Sequence, residues 1–140
     1  MPQPALLTFT VNNFKSLIAN QGLMITGAGP AADVNVAVTP ITGTNVSVGS
    51  NGQVTVSRGQ QQLNICATGY IPVGLVFKQT AGSTDPNGNN AFGQYTRFGS
   101  NSDTLKVTDN DAGSSTYEFY VLIQNPNGDF GLIDPQITNH

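Results

Sequence analysis

The run Thr116-Tyr117-Glu118-Phe119-Tyr120-Val121-Leu122-Ile123-Gln124, the turn residues Pro126-Asn127-Gly128, and the run Phe130-Gly131-Leu132-Ile133-Asp134-Pro135-Gln136-Ile137 decide the fold class. Both runs are rich in β-branched and aromatic residues, and the turn formers between them describe a β-hairpin. Tyr117, Phe119, Val121 and Ile123 fall on one parity, Tyr120 and Leu122 on the other. A strand apolar on both faces needs cover on both, which predicts a central strand.

Working back from this hairpin, strand patterns recur at short intervals with turn chemistry between them. Leu6 to Val11 opens the series, and Asp33 to Thr39 alternates with Val34, Val36 and Val38 inward until Pro40 ends it. Val46-Ser47-Val48 and Val54-Thr55-Val56 flank Asn51-Gly52, a pair suited to the positive φ angles of a tight hairpin. Leu63 to Thr68, Val73 to Gln79, Phe92 to Phe98 and Thr104 to Val107 follow. A single helical signal lies between Asn12 and Gly22, where Phe14, Leu17 and Ile18 share a face, Asn12 or Asn13 offers a cap and Gly22 a terminator. The segment from Asp109 to Tyr117 resembles the tyrosine corner that precedes a late strand of immunoglobulin-like sandwiches. The expectation is one all-β domain over residues 1–140, an immunoglobulin-like antiparallel β-sandwich of about eight strands. Its predicted core includes Val36, Val38, Leu63, Ile65, Leu75, Phe77, Phe119, Val121 and Ile123.

A chain of 140 residues buries a real core without staples. Only 9% of its residues are charged, against about a quarter in ordinary soluble proteins, so the polar positions are filled by groups that suit strands and turns. Net charge is −3, and Lys15, Arg58, Lys78, Arg97 and Lys106 are scattered. Without a positive stripe, binding to nucleic acid or to an anionic membrane is not expected. No apolar run reaches the roughly 18 to 20 residues that cross a bilayer, and Met1-Pro2-Gln3-Pro4 lacks the basic and apolar parts of a signal peptide. The expected address is the cytoplasm, with release by another route left open. Cys66 is the one cysteine and is read as a small buried apolar side chain.

The chemistry of bond making finds few tools. His140 is the sole histidine, which removes the usual base for a Ser or Cys nucleophile, and one Cys with one His is too few for zinc or copper. Among eight acids only Glu118 lies within a predicted strand where a cleft could shift its pKa. No catalytic residue is assigned and no cofactor is expected, calcium being the one candidate cation. Asp85, Asn87 and Asn89 in the long Ala81 to Asn90 loop, with Asp109 and Asp111, offer hard oxygen ligands, although Asp and Asn in such loops also form turns through their own backbone. Tyr95 and Arg97 share a parity and form a candidate stacking surface for a glycan, the plainer reading being an arginine stem lying along an edge tyrosine.

The segment from Tyr117 to Gln124, followed by Gly128-Asp129-Phe130-Gly131-Leu132-Ile133-Asp134-Pro135-Gln136-Ile137-Thr138-Asn139, resembles the carboxyl end of the small bacterial DP-EP family. It is more distantly similar to the ending of PixA-type inclusion-body proteins, in which an aromatic strand also finishes in Asp-Pro. The resemblance implies an immunoglobulin-like sandwich of unassigned activity. The functional expectation is a non-enzymatic interaction or self-assembly module, a homo-oligomer or the binder of a protein partner, acting through sheet edges or exposed loops. The alternative is a calcium-assisted carbohydrate-binding module.

Overall fold

The computed structural model describes residues 3–12, 14, 18–19, 22–23, 34–39, 43–49, 53–57, 59–80, 84–99, 103–110, 116–133 and 136–139, with the backbone alone for 18–19, 22–23, 34–39 and 136–139. These residues form the strands β1 (Ala5–Val11), β2 (Ile18–Ala19), β3 (Gly22–Leu23), β4 (Val34–Thr39), β5 (Val46–Val48), β6 (Val54–Val56), β7 (Gln61–Ala67), β8 (Ile71–Gln79), β9 (Thr96–Phe98), β10 (Thr104–Asp109), β11 (Thr116–Gln124), β12 (Phe130–Ile133) and β13 (Gln136–Asn139). Among the described residues no helix is long and apolar enough to cross a membrane.

The first sheet runs β4-β1-β7-β10-β9. In the second, β11 is the central strand that its two-sided pattern predicts, with β8 along one side, β12 and β13 sharing the other, and β6 and β5 beyond β13. Tyr117, Phe119, Val121 and Ile123 are buried and alternate with half-buried neighbours. The Asp134-Pro135 step leaves the register intact, since Val121 faces Ile133 on one side of it and Tyr117 faces Ile137 on the other. What changes there is the strand's position: β12 pairs only β11, whereas β13 also pairs β6. The Asp134-Pro135 break itself lies outside the described residues.

Both sheets contribute to one apolar core. Leu7, Phe9, Leu63, Ile65, Leu105 and Val107 come from the first sheet and meet Val54, Val56, Leu75, Phe119, Val121, Ile123 and Ile133 from the second. Phe9 and Phe119 meet edge to face across the interface, with ring centroids 6.2 Å apart. Of the predicted core, Leu63, Ile65, Leu75, Phe119, Val121 and Ile123 are buried, and Phe77 is partly buried against the cluster. The Val36 and Val38 side chains lie outside what is described, but the register sets Val36 opposite Phe9 and Val38 opposite Leu7, both wholly buried.

Several expectations are corrected. The sheets are mixed rather than purely antiparallel, because β1 pairs β7 and β13 pairs β6 in parallel. Alternation records which faces are covered and not the direction of the neighbour, and both parallel partners are far apart in sequence. Where the pattern predicts a helix, Ile18 pairs Leu23 and Ala19 pairs Gly22. Spaced apolar residues over so short a stretch do not carry the cost of helix nucleation. From Phe92 to Phe98 only β9 is a strand, preceded by an isolated bridge between Phe92 and Asp109. Cys66 is only partly buried and sits on the opposite parity from Leu63 and Ile65, with Thr8 Oγ1 3.5 Å from its sulfur.

Candidate functional site

The long loop between β8 and β9 is built around a buried carboxylate. Asp85 is 6% exposed. Its Oδ1 accepts from the Asn90 N–H at 2.9 Å, and its Oδ2 from the Ala91 N–H at 3.0 Å and the Tyr117 hydroxyl at 2.8 Å. The Asp85 N–H donates to Gln79 Oε1 at 2.9 Å, and the Gln79 N–H donates to Pro86 O at 3.0 Å, which ties the loop to the end of β8. Burial pushes the Asp85 carboxyl up, but the N–H groups of Asn90, Ala91 and Asn89 together with the Tyr117 hydroxyl outweigh it and hold the group below its ordinary 3.8. The Tyr117 hydroxyl thus reaches across to the loop, while residues 111–115 of the segment that resembles a tyrosine corner lie outside the described residues.

Gly88 lets the loop approach so closely. Its φ is +72°, and a Cβ there would stand 2.8 Å from Phe77 Cβ. Phe77 in turn stacks on Phe92 with centroids 4.0 Å apart.

This loop and the Asp109 corner meet at one pole of the sandwich. The Asn110 N–H donates to Ala91 O at 2.7 Å and the Gly93 N–H to Thr108 O at 3.2 Å. Asp109 is fully buried at the end of β10, opposite Gln61 in the ladder. Gln61 is also fully buried, accepting from the Asn45 N–H at 2.7 Å and donating to Gln3 O at 2.9 Å and Gln62 O at 2.8 Å. Gln61, Gln79 and Asp109 form with Asp85 and Tyr117 a polar cap that closes this end of the core. The candidate ligands are thereby placed: Asp85 and Asp109 are buried, Asn87 and Asn89 are exposed on the loop, and Asp111 lies outside the described residues, as does His140. Among the described residues no group of three or more His, Cys, Asp or Glu side chains gathers at one place.

Tyr95 and Arg97 are exposed, and each lies beside β8. Arg97 Nη2 donates to Val73 O at 3.4 Å, and a side chain at Gly74 would begin 3.4 Å from the Tyr95 hydroxyl. Val73 is the extra residue of a register shift, since Leu122 faces Gly74 and Ile123 faces Pro72. Pro72, the bulge, Arg97 and the Pro86 carbonyl therefore blunt both ends of this edge strand. β9 and β5 are three residues each, and β12 four. β4 is different: six residues, Val34-Asn35-Val36-Ala37-Val38-Thr39, with no charge, no proline and no register shift against β1. Among the described residues no strand pairs its outer side. The sequence reading named sheet edges without choosing among them, because an edge is defined by the neighbours a strand lacks.

At the opposite pole a cavity of about 530 Å³ lies between the β7–β8 turn and the turn after β11, lined by Cys66, Tyr70, Ile71, Asp103, Gln124 and Pro126 among others. Among the described residues that line it, Cys66, Asp103 and Tyr70 are the ionisable ones.

No family model matches the chain, and no curated protein matches it. Among solved structures the chain is similar to an inclusion body protein, PixA, from Burkholderia cenocepacia J2315, with a TM-score of 0.58 and 11% identity over 100% of this chain and 97% of that one. At that identity the likeness is one of fold. That neighbour is of the PixA type whose ending the carboxyl-terminal segment resembles, while nothing matched supports the resemblance to the DP-EP family.

Proposed function

We propose that this protein is a non-enzymatic module that assembles with copies of itself through the edges of its sheets. The observation that carries the reading is the six-residue edge strand β4, uncharged and free of proline, in a chain with only 9% charged residues. Edge strands present unpaired N–H and C=O groups, and proteins that stay monomeric blunt them with charges, prolines, bulges or cover. Here that protection is concentrated at β8. The fold shared with a protein described as an inclusion body protein is consistent with such a role. A non-enzymatic role is further supported by the polar cap, where Asp85 spends both carboxylate oxygens on backbone and Tyr117 donors. Light scattering on a sizing column tests the proposal. The expected result is a homo-oligomer whose share rises with concentration, and a monomer persisting at high micromolar concentration would overturn it.

A further inference from the structure

Resting on that reading, we infer that β4 is the self-pairing edge: a second copy docks on it as an antiparallel strand, with Val36 facing the partner's Val36. The argument begins with which backbone groups are spare. The Thr68 N–H donates to Phe9 O at 2.9 Å, so Phe9 directs its backbone groups toward β7, in keeping with its parallel pairing to Ala67. Backbone direction alternates along a strand, so Leu6, Thr8 and Thr10 direct theirs toward β4. Their partners Thr39, Ala37 and Asn35 return those bonds. Val34, Val36 and Val38 therefore turn their N–H and C=O groups away from β1, along the outer edge of the sheet.

Two copies related by a two-fold axis bring the same strand together in antiparallel sense. Centred on Val36, the pairing sets Val34 against the partner's Val38 and Asn35 against the partner's Ala37. Every outward N–H then meets an outward carbonyl, and no charged residue of the strand faces another. The opposite edge of the sheet, β9, is three residues long and carries Arg97. In the second sheet β8 is blunted at both ends. β4 is the longest edge strand without a charge, a proline or a register shift; among the described residues no strand pairs its outer side, and β5 lies near it.

Hydrogen exchange of the unmodified protein reads the interface directly. The amides of Val34, Val36 and Val38 exchange fast in dilute solution and slow by about tenfold or more at the concentration where light scattering finds the oligomer, while those of Asn35, Ala37 and Thr39 change little. A second arm uses charge. Asn35→Lys with Ala37→Lys, and Asn35→Glu with Ala37→Glu, are each expected to give a monomer, and an equimolar mixture of the two restores the dimer, because this register sets position 35 against position 37. Val76→Lys, on β8, leaves the oligomer unchanged. A wild-type protein that stays monomeric overturns the self-assembly reading itself. A wild-type oligomer without slowed exchange at Val34, Val36 and Val38, or one that persists in both charged variants, overturns the assignment to β4 and leaves that reading standing. Should the charged variants not fold, the exchange rates decide alone.

Discussion

Asp85 shows how one residue organises a loop. Its carboxylate replaces the solvent that the Asn90 and Ala91 N–H groups would otherwise need and anchors Tyr117 beneath them. Because its folded pKa lies below 3.8, the stability it contributes is fully present above that unfolded value and is lost as pH falls through the folded one. Asp85→Asn places an amide donor where N–H groups already point. The expected cost is about 1–3 kcal/mol near neutral pH, with a shallower loss of stability on acidification than in the wild type. Urea unfolding of both proteins through the acid range measures this, and an unchanged acid limb would count against the role given to Asp85. Part of this cap is written in the alternation: Gln61 shares parity with Leu63 and Ile65, Gln79 with Leu75 and Phe77, and Asp109 with Leu105 and Val107. That each polar residue ends a buried parity marks a closed pole. Which group satisfies which does not follow, since Asp85 and Tyr117 are far apart in the chain and only packing brings their atoms to 2.8 Å.

At the scale of elements, the loop after β8 depends on Gly88. Gly88→Ala adds a Cβ against Phe77 in a backbone conformation that L residues rarely adopt, and is expected to destabilise the protein by about 1–3 kcal/mol. Thermal unfolding checks the loss, and stability equal to wild type would show that the loop yields without cost. The strands were legible because alternation with period two is local, and so were the hairpin pairings of β5 with β6 and of β11 with β12, although Asn51-Gly52 lie outside the described residues. Strand direction was not, because pairing β1 with β7 in parallel depends on a crossover that leaves no trace in either strand's composition. The short β2–β3 pair defeats the pattern for the same reason that any few-residue element does: its apolar spacing fits a helical turn as well as a hairpin.

The whole molecule is held by the seam between its sheets, where Phe119 touches both Phe9 and Phe77, with centroids at 6.2 and 5.9 Å. Phe119→Ala is expected to cost about 3–5 kcal/mol, measured by denaturant unfolding. A loss within about 1 kcal/mol would mean that the seam does not carry the fold. The proposed self-assembly also belongs to this scale, since a sheet edge can become a binding surface only where the rest of the sandwich leaves it uncovered. By itself the sequence determined the all-β class, the central place of β11 and the burial of Leu63, Ile65, Leu75, Phe119, Val121 and Ile123, because composition and alternation act within a few residues of each other. The tertiary structure alone decided the mixed strand directions, the junction of the Asp85 loop with the Asp109 corner, and which strands, among the described residues, stand at the sheet edges. Each of those is a relation between segments distant along the chain, set by how the two sheets bury their shared core.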